Sequence, residues 1–184
     1  VFTDDCCAVN PSCLEYEGER DEDGNYNGNG VLTCVAVDAP IHHRWNGWSY
    51  AGNWKQGKKH GFGALEATNT PYSYAGEWKD DLMHGHGVEI ASDRTKYSGE
   101  WKNGTKHGCG TIQHTNGDSY SGEWENGNLH GSGTETFATG ETYSGEFRNG
   151  LYHGHGVFTT QRSSYHGAWV DGNKQGYGIE LKWR

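Results

Sequence analysis

The chain has 184 residues, enough for one domain or one array of small repeating units, and its formal net charge is −9. Its aliphatic residues are too few for an ordinary core, but 8 Trp, 11 Tyr and 5 Phe can replace them, since each buried aromatic side chain removes about 150–250 Å² from water. No apolar run approaches the ~20 residues of a membrane-spanning helix. No basic stripe that would neutralise phosphates is present, so we expect no binding to nucleic acid.

Residues 1–49 form the first predicted region, an acidic segment that contains cysteine. Residues 1–30 carry eight acidic side chains and one basic side chain, Arg20. The cysteines of this region are Cys6, Cys7, Cys13 and Cys34. They would form two disulfides in an extracellular protein, whereas reduced thiols in an intracellular protein are the interpretation that we favour. A zinc site that joins them to His42 and His43 lacks a C-x-x-C pair, so we expect no bound metal.

Residues 16–30 of this region have the spacing of a degenerate hairpin. Tyr16-Glu17-Gly18-Glu19-Arg20, followed by Gly28-Asn29-Gly30, is a weaker copy of a unit that recurs regularly further along the chain. We predict that this copy caps the N-terminal end of an array, as the end units of repeat proteins do. Residues 31–49 are predicted to bridge irregularly to the first regular unit.

Residues 50–184 contain six tandem repeats, whose starting tyrosines are 22 to 24 residues apart. Each repeat begins with Tyr-x-Gly-x-Trp and continues, at a fixed distance, with His-Gly-x-Gly. The repeats start at Tyr50, Tyr74, Tyr97, Tyr120, Tyr143 and Tyr165. Phe147 stands in the Trp position of the fifth repeat, and Ala168 and Gln175 depart from the pattern in the sixth. Recurrence in phase over six copies is the strongest signal in the chain.

Each repeat is predicted to be a β-hairpin. Tyr97, Gly99 and Trp101 alternate with polar residues, which is the period of a half-buried strand. Asn103-Gly104 follows, and this dipeptide favours a type I′ turn because both central residues need positive φ. Gly99 is expected to leave room for the close approach of a ring or of backbone. Asp80-Asp81 lacks the glycine, so we predict a different turn in the second repeat.

The hairpins are predicted to stack side by side, because a single two-stranded hairpin is marginally stable in water. Stacking aligns the tyrosines and tryptophans into continuous rows. With strands ~4.8 Å apart, each hairpin advances the array by about 10 Å and six give a twisted rod about 60 Å long. The predicted fold class is therefore all-β, an elongated, twisted, single-layer antiparallel sheet of tandem β-hairpins.

The repeats also align two columns of polar side chains. One column is His60, His84, His107, His130 and His153, and the other is Glu77, Glu100, Glu123 and Glu146. Equivalent residues of adjacent hairpins lie about 10 Å apart, too far to share a zinc ion. A row of equivalent carboxylates fits a solvated face, lightly paired with Lys79 and Lys102, better than a catalytic pair in a cleft. We therefore predict no catalytic residue, no metal and no cofactor, and expect a protein that is not an enzyme.

Six copies of Tyr-x-Gly-x-Trp, a turn and Gly-x-Gly at this period resemble the MORN (membrane occupation and recognition nexus) repeat family. The resemblance covers residues 50–178, with a degenerate trace from Tyr16 to Gly30. It implies an elongated, twisted antiparallel sheet with a grooved aromatic face, and a role in holding other molecules together. Members of the family occur in membrane junctions, ciliary and cytoskeletal scaffolds and myosin-tail binders, and as accessory regions of larger enzymes. No catalytic residue belongs to the repeat itself.

The function we predict is a scaffold for protein–protein interaction, cytoplasmic and associated with the cytoskeleton or a cilium. The partner is a helix or an extended segment of another protein, or a second copy of this chain. A membrane- or phospholipid-apposition module is the alternative. It is disfavoured because only Lys55, Lys58 and Lys59 cluster as basic residues. An accessory role in a larger enzyme is a further possibility.

The candidate binding surface is the aromatic face of the central repeats, because a single-layer sheet is expected to leave part of that surface exposed or covered by something else. The candidate residues are Tyr74, Trp78, Tyr97, Trp101, Tyr120, Trp124, Tyr143 and Phe147. Polar substitution of Trp101 and Trp124 is expected to abolish association with the partner and to leave the array folded.

Overall fold

A computed structural model describes residues 14–34 and 47–183. These residues form fourteen β-strands, and no helix occurs among them. The strands lie in one sheet in the order of the chain, and paired neighbours run antiparallel. The predicted all-β class and the single antiparallel sheet are therefore confirmed. The chain divides into two compact units, and the division falls within the seventh strand.

The first unit contains the described residues up to Arg94 and Trp101–Gly104. Its strands are β1 (Leu14–Arg20), β2 (Tyr26–Cys34), β3 (Trp48–Lys55), β4 (Lys58–Ala67), β5 (Ser73–Lys79) and β6 (Leu82–Ile90), with the end of β7 (Lys96–Lys102). Within this unit, glycines lie directly opposite one another on neighbouring strands, as Gly52 does with Gly63 and Gly76 with Gly87. Two strands can thus approach a ring that lies over them.

The second unit contains Thr95–Glu100 and the described residues from Thr105 onward. Besides part of β7, its strands are β8 (Thr105–Gln113), β9 (Ser119–Glu125), β10 (Asn128–Thr136), β11 (Thr142–Arg148), β12 (Leu151–Thr159), β13 (Ser163–Val170) and β14 (Asn173–Lys182). The same glycine pairing recurs, with Gly122 opposite Gly133 and Gly145 opposite Gly156. Every residue of β14 is exposed.

The tight turns inside the hairpins have two consecutive residues with positive φ. Asn103-Gly104 has φ values of 51° and 79°, and Asn149-Gly150 has 52° and 82°, as the predicted type I′ turns require. Asp80-Asp81 has the same geometry, with φ of 50° and 69°, so the prediction of a different turn was wrong. Hydrogen bonds to the preceding hairpin hold Asp81 there, since its N–H donates to the Lys59 carbonyl (3.0 Å) and its Oδ1 accepts from the Lys59 N–H (2.8 Å).

A bulge interrupts the return strand of the hairpins. In β12, Gly156 lies opposite Gly145 and His153 opposite Glu146, so Gly154 and His155 have no partner residue on β11. Gly154 has a φ of 58°, which suits glycine. The bulge is local to the His-Gly-x-Gly motif, and its two extra residues keep Gly156 and Tyr152 on the same face of the return strand.

The degenerate N-terminal repeat is a hairpin of β1 and β2. Arg20 takes the place of the missing ring, because its guanidinium lies 5.0 Å from the ring centre of Tyr16 and 4.9 Å from that of Tyr26. Residues 31–34, predicted as part of an irregular bridge, instead continue β2, and Trp48 begins β3. Cys34 is buried. Cys6, Cys7, Cys13, His42 and His43 lie outside the described residues, so the zinc and disulfide alternatives stay predictions.

Candidate functional site

The eight candidate binding residues form the core of the array. Their side chains are 0–7% exposed in the single chain. The expectation that these rings stay open to a partner was therefore wrong. Trp101 and Trp124 are 4% and 6% exposed, so polar substitutions there would disrupt the core instead of leaving a folded array. Whether the face that contains these rings binds a partner stays a prediction.

The rings bury one another because tyrosines lie edge-on between the ring of their own hairpin and that of the next, except in the last repeat, where the ring partner of Tyr165 is Trp169. The Tyr74 ring centre is 5.0 Å from that of Trp78 in the same hairpin and 5.5 Å from that of Trp101 in the next. Tyr120 lies in the same way between Trp124 (5.4 Å) and Phe147 (4.9 Å). Such edge-to-face pairs contribute about 0.5–1.5 kcal/mol each beyond the burial of area. One row of rings therefore fastens each hairpin to its neighbours within a unit.

Each tyrosine also lies over a pair of opposed glycines. A Cβ atom on either Gly145 or Gly156 would collide with the Tyr143 ring or hydroxyl, so both positions need glycine. The Tyr143 hydroxyl donates a hydrogen bond to the Glu146 carbonyl (3.0 Å). Burial raises the pKa of Tyr143 to about 12, with a smaller contribution from the Glu146 carboxylate. The phenol is thus held in its neutral, donating form.

The tryptophans add a hydrogen bond between hairpins. Nε1 of Trp78 donates to the Gly63 carbonyl (3.1 Å), and Nε1 of Trp124 donates to the Gly110 carbonyl (3.1 Å). Phe147 fills the same position with a ring that has no N–H. The fifth repeat therefore keeps the ring packing and lacks this donor.

The glutamate column closes the bulges. The Glu77 carboxylate accepts a hydrogen bond from the His86 N–H (2.8 Å), and the Glu123 carboxylate accepts one from the Ser132 N–H (2.8 Å). These donors are the backbone groups that the bulge frees from the strand ladder. The predicted light pairing of this column with Lys79 and Lys102 was wrong, because the carboxylates turn to the backbone of the return strand.

The histidine column lies beside the turns. Nδ1 of His60 is 3.7 Å from Oδ1 of Asp80, and Nδ1 of His153 is 3.6 Å from Oδ1 of Asp171, each in the turn of the next hairpin. Nδ1 of His84 accepts a hydrogen bond from the Asn103 N–H (3.4 Å). Across residues 14–34 and 47–183, no three His, Cys, Asp or Glu side chains gather as metal ligands would.

Sequence reasoning missed the residue that precedes each histidine. This position lies directly opposite the Trp position, as Lys59 does with Trp54 and Tyr152 with Phe147. The register places this residue on the ring face, and we call the column of these residues the cover. The cover consists of Lys59, Met83, Lys106, Leu129, Tyr152 and Lys174. The available signal was the hairpin register, which pairs this position with Trp across the tight turn.

The face opposite the rings differs between the two units. In the first unit one row across β2 to β6 is apolar and consists of Val31, Ala51, Ala64, Ala75 and Val88. In the second unit the corresponding row carries hydroxyls from β8 to β11, which pair as Thr111 with Ser121 and Thr134 with Ser144, both at 3.0 Å. It continues with Val157 on β12. Both rows are at least partly exposed, so the two units offer different chemistry on this face.

The family model of the MORN repeat matches residues 22–35, 50–69, 74–96, 97–119, 120–142, 143–161 and 165–181. The chain belongs to the MORN repeat family. This MORN array includes a seventh matched segment, residues 22–35, whose described part lies on the turn after β1 and on β2. No curated protein matches the chain. MORN repeats suggest a module for repeat-based interaction or for membrane association. Among the described parts of the chain, no helix is long and apolar enough to span a bilayer.

Proposed function

We propose that this MORN array is a non-enzymatic scaffold that binds a protein partner along its ring face, in a larger cytoskeletal or ciliary assembly of the cytoplasm. The observation that carries the proposal is the cover. The frame of tyrosine, glycine and tryptophan is nearly the same in every repeat, whereas the cover changes from Lys59 to Met83 and on to Leu129 and Tyr152. A regular frame that presents a changing surface is typical of repeat proteins that recognise extended partners.

The partner in this proposal is a helix or an extended segment, or a second copy of the chain. Because the rings are buried, such a segment contacts the cover and the ring edges that remain between cover residues. Met83 and Leu129 are half-buried, so their side chains still offer apolar surface to a partner. The eight candidate residues then form the floor of the surface, and the cover makes the contact.

The membrane alternative is weakened by the position of one lysine. Of the three clustered basic residues, Lys55 and Lys58 are exposed, whereas Lys59 is 8% exposed and lies among rings. Attraction to anionic lipid amounts to about 1 kcal/mol for each basic residue near the surface, so two exposed lysines supply little. We expect no robust sedimentation with anionic vesicles at low salt, and such sedimentation would favour the membrane function instead.

The protein function is tested by charge substitutions on the two faces of the sheet. Met83→Glu and Leu129→Glu place a carboxylate on the cover, and Ala75→Glu and Ser121→Glu place one on the opposite exposed face. Proteins cross-linked to each variant in the source cell are quantified against the unsubstituted chain. We expect the cover variants to lose a defined set of partners and the matched controls to keep it. Equal retention by all four variants, with folding confirmed by thermal unfolding, would refute a binding site on the ring face.

A further inference from the structure

Lys59 is the cover residue of the hairpin of β3 and β4, and it lies in a cage of three rings. Its Nζ is 5.2 Å from the ring centre of Trp48, 5.8 Å from that of Tyr50 and 5.5 Å from that of Trp78. The residue is 8% exposed, and no other lysine in residues 14–34 and 47–183 is buried. The faces of aromatic rings attract an ammonium group, so the cage holds Nζ at a fixed place on the ring face.

The ammonium has no acidic partner within the part of the chain that the structure describes. There, no carboxylate lies within 4.0 Å of Nζ and no hydrogen bond from Nζ is formed. The nearby Asp81 carboxylate accepts instead from the backbone N–H of Lys59, at 2.8 Å. An ammonium has three donors, and a buried charge without hydrogen bonds is costly. The cage therefore leaves the donors of Lys59 available to an acceptor from outside.

An acceptor can reach this ammonium. Among the described residues, the side-chain atoms that are sealed from solvent and lack a hydrogen-bond partner are Nδ1 atoms of histidines. Nζ of Lys59 has no hydrogen-bond partner and is not among them, so it keeps some contact with solvent. Trp48 is half-buried and forms the accessible rim of the cage. A group that approaches along the ring face therefore meets an apolar rim first and a single positive charge behind it.

The other cover residues differ from Lys59 in charge or in burial. Lys106 also lies over rings, 5.0 Å from the Tyr97 ring centre and 5.8 Å from that of Trp124, but it is only half-buried. Met83 and Leu129 cover their rings with uncharged side chains. The Tyr152 hydroxyl has an acceptor of its own, because it donates to the Glu135 carboxylate at 2.6 Å. Lys174 lies 4.4 Å from the Tyr165 ring centre on the exposed strand β14. Among the cover residues, Lys59 alone combines burial of the residue with an ammonium that has no acidic or hydrogen-bond partner in the described chain.

We propose that Lys59, Trp48, Tyr50 and Trp78 form a recognition site for one carboxylate of a protein partner, an Asp or Glu side chain next to an apolar residue. The carboxylate accepts a charge-assisted hydrogen bond from Nζ, and the apolar neighbour packs on the Trp48 rim. A single caged ammonium matches the single charge of a carboxylate better than a phosphate group, which carries about −1.5 to −2. The inference rests on the proposed function and names the chemistry of the partner at one point.

The test is selection of a displayed library of random 12-residue peptides against the whole chain. We expect enriched peptides to share an Asp or Glu beside an aromatic or aliphatic residue. Lys59→Met keeps a stem that covers the rings and removes the ammonium, so we expect it to weaken such a peptide about tenfold or more. Lys58→Met, at the exposed neighbouring lysine, is the matched control and should leave the affinity unchanged. Replacing the Asp or Glu of the peptide by Asn or Gln should weaken its binding to the original chain, and should not weaken its binding to Lys59→Met any further.

Several outcomes would overturn the site. Enriched peptides without an acid, peptides that bind Lys59→Met as tightly as the original chain, or a library that yields no binder each refute it. Binding to phosphatidylserine vesicles that only Lys59→Met abolishes would reassign Lys59 to a lipid headgroup. Peptides that depend on Met83 or Leu129 but not on Lys59 refute this site and leave the proposed function standing, whereas the absence of any binding to the ring face refutes both. Equal melting temperatures of the three chains confirm that folding is not the cause.

Discussion

The hairpin of β3 and β4 and the hairpin of β11 and β12 share one frame and differ in what lies over it. Tyr50 and Tyr143 are both completely buried, and each hydroxyl donates to the carbonyl three residues further along at 3.0 Å. Over the first frame lies the Lys59 ammonium, more than 5 Å from three ring centres. Over the second lies Tyr152, whose ring stacks on Tyr143 with centres 3.7 Å apart.

This difference separates the residues that build the array from those that give it a surface. The frame satisfies its own hydrogen bonds in both hairpins, so the cover can change from a charged to an aromatic residue without altering the backbone. In the second hairpin the cover is also satisfied, because Tyr152 donates to Glu135. In the first hairpin the cover residue Lys59 has no hydrogen-bond acceptor for its ammonium among the described residues. The comparison predicts large effects on stability from frame substitutions and small ones from cover substitutions.

The largest effect is expected from removal of a frame ring. Trp54→Ala and Phe147→Ala each empty a position that is 5% or 3% exposed, so each should lower the free energy of unfolding by about 3–5 kcal/mol. Denaturant titration of both variants measures this. Lys59→Met and Tyr152→Phe, which change only the cover, are the controls and should cost about 1 kcal/mol or less. A cover variant as unstable as a frame variant would contradict the separation.

A smaller loss is expected from the paired glycines. A Cβ on Gly63 would overlap the Tyr50 ring, and a Cβ on Gly156 would overlap the Tyr143 ring. Gly63→Ala and Gly156→Ala should therefore each lower the free energy of unfolding by about 1–3 kcal/mol, the usual range for overpacking. Ala64→Ser, next to Gly63 but on the opposite face, should be nearly neutral. If the two glycine variants differed widely, the two hairpins would not share one frame.

The pH dependence of stability follows from the buried phenols. The pKa of Tyr143 is raised to about 12 by burial and by Glu146, and burial also raises the pKa values of Tyr50, Tyr74 and Tyr120. In the unfolded chain a phenol releases its proton near pH 10. The stabilisation is thus fully present below pH 10 and is lost as the pH rises toward 12, because only the unfolded chain ionises in that window.

Melting temperatures measured from pH 8 to pH 12 check this dependence. We expect a plateau up to about pH 10 and a decline above it. Tyr143→Phe removes one contributing phenol and should make the decline shallower. An array whose melting temperature stayed constant to pH 12 would show that the phenols are not buried as described.

The smallest effect is a gain. In the preceding repeat the indole N–H of Trp124 donates a hydrogen bond to the Gly110 carbonyl. Phe147→Trp supplies an indole N–H at the same position, so the equivalent hydrogen bond to the Gly133 carbonyl becomes possible. We expect the free energy of unfolding to rise by about 0.5–1 kcal/mol. Trp124→Phe is the reciprocal control and should lose a similar amount. A loss of stability in Phe147→Trp would mean that this hairpin has a tighter frame than the others.

The sequence alone predicted most of the frame. Local spacing and φ preferences can be recognised without a structure. They were enough to predict the phase of the repeats, the hairpins, the Asn-Gly turns and the need for Gly99. Asp80-Asp81 was misjudged because its positive φ values are held by bonds of Asp81 to Lys59, a residue of the preceding hairpin. The glutamate column was misjudged for a related reason. Its partners are backbone donors that a two-residue bulge sets free, and the bulge follows from the pairing of strands.

What the sequence determined by itself is the repeating frame, since the period of 22 to 24 residues and the alternation of ring and glycine fix which residues face which. Only the tertiary structure decided that the candidate rings are covered instead of open and that a different column forms the surface. The physical reason is that a ring is buried by the hairpins on either side and by the residue across the turn. The exposure of a ring therefore depends on residues of other hairpins, and the sequence pattern within one repeat does not show where those residues lie.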